Sequence, residues 1–246
     1  MESVNGLRIF YADITALREE LEHPRMWKLL CSSRQKKITQ CKNEDDRLRA
    51  FGAGLLLEYG LRAYGYTQVP DVGEKEHLYE QVTFSYGENG KPLLVDAKGQ
   101  NSKVHFNLSH SGRYVAAAFD EKPVGVDVEC LREGKQKVAR RFFSEEEKRY
   151  LEQCWSDSAF TGIWTRKEAY IKAVGTGIAM PLPSFSTMEE WVEDYALKTW
   201  EIKPDVWLSV CRRGKQIECI PEEYRFESLN FKKKICYINE QGQRRT

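Results

Sequence analysis

The spacing of apolar and polar positions predicts short strands and amphipathic helices along the first half of the chain. Tyr114–Phe119 is apolar throughout, as expected of a buried strand. A short helical pattern stops before Pro24, because the residue that precedes a proline disfavours the helical conformation. The predicted elements of this half are a strand at Leu7–Ala12, a helix at 15–22, a helix at Asp46–Tyr64 that Gly65 ends, a turn at 86–92 and the strand at Tyr114–Phe119.

The second half begins with a strand and continues with helices and further strands. Val124–Glu129 alternates apolar and acidic residues, which is the period of a strand with one apolar face. Ser144 and Glu147 have the spacing of a capping box, and Ser158 is a candidate cap for the next helix. The later predicted elements are the end of that helix at Gly175 and short strands at Leu197–Ile202, Val206–Cys211 and Lys234–Ile238.

The composition indicates a globular protein with a substantial core. Of its 246 residues, 41% are hydrophobic and 12% aromatic. The 38 basic and 37 acidic residues nearly cancel, so net charge gives no reason to expect a nucleic acid or membrane partner. No apolar run approaches the ~18–20 residues of a membrane span, and the N-terminus lacks a signal-peptide pattern, so we expect a cytoplasmic protein. The seven cysteines have no metal-binding spacing and are expected to be free thiols.

Positive charge is concentrated near the N-terminus. Residues 25–42 contain six basic side chains and no acidic one. A run of this kind is typical either of a solvated surface or of an electropositive rim that attracts a polyanionic ligand. The sequence leaves both interpretations open.

Three acidic residues have a spacing that could bring them to one cation. Asp127 and Glu129 lie on the same side of their predicted strand, and Glu168 lies four residues before Lys172 on one face of a predicted helix. Carboxylates are the ligands that a hard cation such as Mg²⁺ prefers. The alternative is that the strand is an edge strand with a wet face and that Lys167 and Glu168 form an ordinary solvated pair.

A dense polar cluster precedes the apolar strand Tyr114–Phe119. It contains Ser109 and His110, and we expect His110 to contact a phosphate. These two residues could also suggest a hydrolase triad with Asp127. However, adjacent side chains usually diverge and the chain contains no G-x-S-x-G motif, so serine hydrolysis is disfavoured.

Five short segments in this order resemble the 4′-phosphopantetheinyl transferases of the surfactin-synthetase-activating (Sfp) type. The resemblance covers about residues 86–185 and extends into the N-terminal half through Arg34, Lys37 and Arg49. Its segments are Gly90-Lys91-Pro92, Phe106–Ser111, Gly125–Glu129, Arg141–Ser144, and Trp164–Lys172 with Gly175-Thr176-Gly177.

The resemblance implies transfer of the phosphopantetheine arm of coenzyme A to a serine of an acyl or peptidyl carrier protein, as in fatty acid or antibiotic biosynthesis. It implies that Asp127, Glu129 and Glu168 hold Mg²⁺, with Mn²⁺ as an alternative ion, and that Lys172 contacts the pyrophosphate. Glu168 is our candidate for the base that activates the serine. The residues implied to contact coenzyme A are Arg34, Lys37, Arg49, Lys91, Ser109, His110 and Lys172.

The fold that the resemblance implies is α+β, with two similar halves in a pseudo-twofold arrangement and the active site at their interface. We expect the halves to be residues 1–121 and 122–246, within a monomer. Two other functions are compatible with part of the pattern. One is a catalytically silent module that binds coenzyme A or a carrier protein, and the other is a different metal-dependent phosphotransferase or pyrophosphatase.

Overall fold

The computed structural model describes residues 6–23, 27–66, 82–96 and 98–226. Within these ranges the helices and strands are grouped in separate runs, as in an α+β protein, which confirms the predicted fold class. The helices are α1 (Ser32–Thr39), α2 (Glu44–Ala63), α3 (Gln136–Phe142), α4 (Glu145–Gln153) and α5 (Asp157–Val174). The strands are β1 (Arg8–Asp13), β2 (Thr83–Tyr86), β3 (Pro92–Val95), β4 (His105–Ser111), β5 (Tyr114–Asp120), β6 (Val124–Cys130), β7 (Trp191–Val192), β8 (Tyr195–Lys203), β9 (Val206–Arg213) and β10 (Glu222–Glu223).

Two four-stranded sheets have the same plan. The first has the order β10-β1-β5-β4 and the second the order β6-β9-β8-β7, while β2 and β3 form a separate hairpin. In the first sheet β1 pairs with β5, and β5 pairs with β4. In the second sheet β6 pairs with β9, and β9 pairs with β8. In both, the first strand of the half thus pairs with the last long strand, and that strand pairs with the one before it in the chain. The long helix α2 packs on the first sheet and α5 on the second. The expectation of two similar halves is therefore confirmed.

The core follows from the alternation of side chains along the strands. One face of each sheet contributes to a shared core between the sheets, which includes Ile9, Ala116 and Leu208. The apolar residues Val124, Val126 and Val128 of β6 also belong to this core. The alternate residues, Gly125, Asp127 and Glu129, therefore turn the opposite way, towards α5, and they include both predicted acids of the strand.

Strand β4 covers the free edge of β6 with side chains rather than with backbone. The amide oxygen of Asn107 accepts a hydrogen bond from the backbone N–H of Val126 at 3.0 Å, and the hydroxyl of Ser111 accepts one from the N–H of Cys130 at 3.2 Å. Asp127 is only 3% exposed. β6 is therefore the edge strand of its sheet, as the alternative interpretation held, but its acidic face is buried rather than wet.

Several predicted boundaries differ from the structure. Residues 15–22 contain only a 3₁₀ turn at Thr15–Leu17, where the Asp13 carboxylate accepts from the N–H and hydroxyl of Thr15. The cap of α5 is Ser156 rather than Ser158, because the Ser156 hydroxyl accepts from the N–H of Ala159. The polar cluster before β5 is itself a strand, β4. The predicted strand Lys234–Ile238 lies outside the described residues.

Lys167 is a buried residue rather than part of a solvated pair. Its side chain is 0% exposed, and its ammonium lies 2.8 Å from a carboxylate oxygen of Glu147. It also donates to the carbonyls of Leu182 and Phe185, at 2.9 and 2.7 Å. Glu147 completes the predicted capping box of α4, and its other oxygen accepts from Thr187. One ion pair thus joins α4, α5 and the segment that follows α5.

Two further sequence expectations concern the membrane and the cysteines. In the part of the chain that the structure describes, no helix combines the length and the apolar character that crossing a bilayer would need. The six cysteines in that part are free thiols, as predicted.

Glycine at position 125 permits the close approach of α5 to β6. A Cβ atom there would lie 2.1 Å from the carbonyl oxygen of Ala169 and 2.4 Å from the backbone nitrogen of Ala173. Backbone atoms of a packed helix cannot move aside as a flexible side chain can. Any side chain at this position would therefore push α5 away from the strand.

We predict that Gly125→Ala lowers the free energy of unfolding by about 1–3 kcal/mol, the usual cost of overpacking. Gly162→Ala is the matched control, because a Cβ atom there meets nothing within 4 Å and alanine is the better helix former. The control should raise stability by roughly 0.5–1 kcal/mol. Urea denaturation of both variants measures the difference. Equal stability of Gly125→Ala and the wild type would contradict the packing interpretation.

Candidate active site

An ion pair joins the two elements that carry the predicted site. The ammonium of Lys172 on α5 lies 2.6 Å from Oδ1 of Asp127 on β6. It also donates to the hydroxyl of Ser109 at 3.1 Å, and that hydroxyl donates to the same Asp127 oxygen at 2.7 Å. Strand β4 of the first half and strand β6 of the second half therefore meet at one charged cluster.

The second acid of β6 is held in a similar way. Glu129 accepts a hydrogen bond from the hydroxyl of Ser111 at 2.8 Å and forms an ion pair with Arg132. The guanidinium of Arg132 lies over the ring of Trp164 on α5, 5.4 Å from its centroid, which is the geometry of a cation–π contact. Arg132 is a residue of the site that sequence reasoning missed.

Glu168 on α5 is the third acid. Burial raises the pKa of its carboxyl, and the negative charges of Asp127 and Glu129 raise it further, whereas Lys172 and Arg132 act in the opposite direction. These electrostatic contributions show that the three carboxylates lie close enough to repel one another. The structure thus places Glu168 near enough to both acids of β6 to interact with them electrostatically.

The three acids have the chemistry of hard-cation ligands, but their side chains are not arranged around a common cation. Among the described residues, no group of three or more Asp, Glu, His or Cys side chains is arranged so that it could hold a metal ion. Oxygens of Asp127 and Glu129 are instead occupied by Lys172 and Arg132. The Oδ2 atom of Asp127, however, is buried and has no hydrogen-bond partner. A buried carboxylate oxygen needs a partner, and near two further carboxylates that partner could be a cation such as Mg²⁺ or Mn²⁺.

Positive charge surrounds His110 on the neighbouring strand. Burial lowers the pKa of its imidazole, and the cations Arg49, Lys172 and Lys37 lower it further, in that order. Arg49 lies on α2 and also pairs with Asp46 at 2.5 Å. We call His110, Arg49, Lys37 and Lys172 the cationic pocket. An anion would be stabilised there by Coulomb attraction to several groups at once.

Three other predicted contacts have specific surroundings. Arg34 on α1 is buried, and its guanidinium lies 5.8 Å from the ring centroid of Phe84, while burial lowers its pKa. It also contributes to the lowered pKa of Lys37, which places these two side chains in the same region. The ammonium of Lys91 binds backbone carbonyls of the second half, and the hydroxyl of Ser109 is committed to the Asp127 cluster. The assignment of these residues to coenzyme A stays a prediction.

We predict that Glu168→Gln stabilises the fold at neutral pH. A carboxyl whose pKa is raised in the folded state binds its proton more tightly there than in the unfolded chain, so its ionisation costs stability as pH rises. The gain from Glu168→Gln should therefore be present at pH 7 and disappear as pH falls through the ordinary glutamate range. Calorimetry in chelator at pH 7 and pH 4 measures it.

Asp127→Asn is the counterpart of that change, because it leaves the ammonium of Lys172 without its anionic partner. It should lower the melting temperature at pH 7. Destabilisation by both substitutions at pH 7 would contradict the expectation that burial and repulsion by the other acids make the Glu168 carboxylate costly to the fold.

Comparisons with known proteins show to which family the chain is similar. A family model described as "4′-phosphopantetheinyl transferase, N-terminal" matches residues 18–122, and one described as "4′-phosphopantetheinyl transferase superfamily" matches residues 123–224. A holo-(acyl-carrier-protein) synthase from Bacillus anthracis, solved in complex with CoA (3′,5′-ADP), has 17% identity and covers 46% of this chain and 92% of its own. Its TM-score of 0.33 is too low to support an argument.

Three curated relatives come from Bacillus subtilis. The 4′-phosphopantetheinyl transferase ffp is 33% identical over 69% of this chain and 86% of its own length. A second 4′-phosphopantetheinyl transferase is 29% identical over 77% and 85%, respectively. The transferase Sfp of strain 168 is 35% identical over 53% and 62%. The similarity to ffp covers most of both chains and the two family models adjoin one another, so the chain belongs to the 4′-phosphopantetheinyl transferase superfamily.

Proposed function

We propose that this protein transfers the 4′-phosphopantetheine arm of coenzyme A to a serine of an acyl or peptidyl carrier protein and releases adenosine 3′,5′-bisphosphate. The observation that carries the proposal is the grouping of three carboxylates, Asp127, Glu129 and Glu168, beside the cationic pocket at the junction of the halves. Transfer from a pyrophosphate requires acidic residues that hold a cation and positively charged residues that hold the phosphates.

In this proposal Asp127, Glu129 and Glu168 hold Mg²⁺, or Mn²⁺ in its place. The buried oxygen of Asp127 that has no partner supports the assignment. A bound divalent cation would offset the negative charge of the pyrophosphate. Lys172 would contribute a second positive charge, because its ammonium already lies against the Asp127 carboxylate.

Glu168 has the properties of the base that activates the carrier serine. Its raised pKa makes the carboxylate a better proton acceptor than an exposed glutamate, and α5 holds it rigidly beside the other acids. The serine oxygen forms a bond to the phosphorus that carries pantetheine, and its proton passes to Glu168. The bond from that phosphorus to the bridging oxygen breaks, and the bisphosphate leaves with the electron pair.

The cationic pocket is the proposed site of the nucleotide phosphates. His110, Arg49 and Lys37 come from three different elements, yet all contribute to one electrostatic environment. Arg34 extends this positive region along α1 towards the hairpin that contains Lys91. Coenzyme A differs from its dephospho form by a 3′-phosphate. The positive side chains of the cationic pocket would bind that phosphate through charge-assisted hydrogen bonds.

The reaction is tested by mass spectrometry of apo carrier proteins from a fatty-acid synthase and a peptide synthetase. Each is incubated with the protein, coenzyme A and Mg²⁺, and a gain of one phosphopantetheine on the carrier serine is the expected result. Glu129→Ala should slow transfer by roughly 10²–10³-fold, as expected on losing one electrostatic group of the site.

Glu146→Ala is the matched control for that variant, because Glu146 is exposed in the first turn of α4. It should keep the full rate. Coenzyme A binding without modification of any carrier would favour a silent binding module. Release of phosphate or nucleotide without carrier modification would instead favour a pyrophosphatase.

We predict that His110→Ala raises the KM for coenzyme A by about tenfold. This is the loss of affinity expected when one hydrogen bond to a charged group is removed. The KM for dephospho-coenzyme A, which lacks the 3′-phosphate, should change little. In the wild type, coenzyme A should raise the lowered pKa of His110, because a bound anion offsets the neighbouring cations. NMR titration of the imidazole with the two nucleotides measures this shift, and equal shifts from both would argue against a 3′-phosphate at His110.

A further inference from the structure

The ammonium of Lys91 is bound by three backbone carbonyls of the opposite half. Its Nζ atom lies 2.5 Å from the carbonyl oxygen of Lys172 and 3.2 Å from that of Ala173, both at the end of α5. It lies 3.2 Å from the carbonyl oxygen of Val124, at the start of β6. An ammonium has three donors, so its hydrogen-bonding capacity is matched by these three acceptors.

The position of these carbonyls explains why a lysine fits there. The last four carbonyls of a helix have no partner within the helix, and its C-terminus carries partial negative charge. Lys91 therefore caps α5 from outside. Burial lowers the pKa of Lys91 to about 8, so the ammonium form still predominates at neutral pH.

Neighbouring contacts strengthen the same connection. The side-chain amide of Asn89 donates to the carbonyl of Gly175 at 3.1 Å. The stem of Lys91 packs against Gly175, since a Cβ atom there would lie 3.4 Å from the lysine Cδ. Gly175 has a left-handed backbone, with φ of +83°, and ends α5. The turn between β2 and β3 is thus fastened to the end of α5 by two polar side chains.

This connection reaches the candidate active site directly. The carbonyl of Lys172 accepts from Lys91, while the side chain of the same residue pairs with Asp127. Glu168 lies one turn earlier on the same helix. The placement of the hairpin and that of the two functional side chains on α5 are therefore mechanically linked.

We propose that Lys91 is a positioning residue, which holds the β2–β3 hairpin and the end of α5 in a fixed relation and thereby sets the location of Lys172 and Glu168. This inference rests on the proposed function for its catalytic consequence, but not for its structural one. It gives the lysine of the Gly90-Lys91-Pro92 segment a role other than direct contact with a phosphate through its ammonium.

The structural consequence is tested by hydrogen exchange of the full chain. Lys91→Met keeps the apolar stem and removes the donors, so backbone amides at the end of α5 should exchange roughly tenfold faster, as expected on losing hydrogen bonds at a helix end. Lys98→Met is the matched control, because Lys98 is exposed after the same hairpin. Unchanged exchange in Lys91→Met at the end of α5 would overturn the proposal.

The catalytic consequence is tested by kinetics with two nucleotides. A positioning role predicts that Lys91→Met lowers kcat by the same factor with coenzyme A and with dephospho-coenzyme A. A raised KM for coenzyme A alone, with kcat unchanged, would instead show a direct phosphate contact and overturn the proposal. Asn89→Ala should show the same pattern with a smaller effect, and it carries the test if Lys91→Met fails to fold.

The outcomes separate this inference from the proposed function. A wild-type protein that modifies no carrier would refute the proposed function, and hydrogen exchange would still decide whether Lys91 fastens the hairpin to α5. Conversely, an active wild type with Lys91→Met indistinguishable from Lys98→Met in exchange and rate would refute the positioning role alone.

Discussion

The candidate site depends on the balance between buried carboxylates and the cations beside them. Burial raises the pKa of Glu168, and repulsion by Asp127 and Glu129 raises it further. Lys172 and Arg132 offset part of that repulsion. Because Lys172 is on α5, this balance of charges holds only while α5 stays close to β6. Gly125 allows that short distance, because it has no side chain. Packing and electrostatics therefore impose one joint requirement on the fold.

Local patterns in the sequence were sufficient to predict much of the fold. The alternation of Val124–Glu129 placed its apolar residues in the core between the sheets, as the structure confirms. Some interpretations failed because a distant partner decides the outcome. Lys167 is buried because Glu147 lies across from it, and no feature near position 167 indicates that partner. Residues 156 and 158 are both serine, and serine is a common N-cap, so the sequence alone does not show which of them caps α5.

The residues of the candidate site also fall into those that local patterns indicate and those whose contacts depend on distant parts of the chain. The three acids and Lys172 could be predicted, because strand and helix periodicity placed them on defined faces and the family resemblance connected the two elements. Arg132 and Ser111 could not, since their contacts with Glu129 depend on how a turn and a strand of the other half fold against β6. The surroundings of Lys91 are likewise a property of two halves that pack together, and not of its own segment.

The cover that β4 places over β6 has a consequence for the autonomy of the halves. Asn107 and Ser111 satisfy backbone N–H groups on the outer edge of β6, and the first sheet covers its apolar face. A second half produced alone would expose that edge together with Val126 and its apolar neighbours, which is a surface prone to pairing with strands of other chains. The two halves share a plan, but the second half on its own would expose an aggregation-prone edge in addition to losing the residues that the first half contributes to the site.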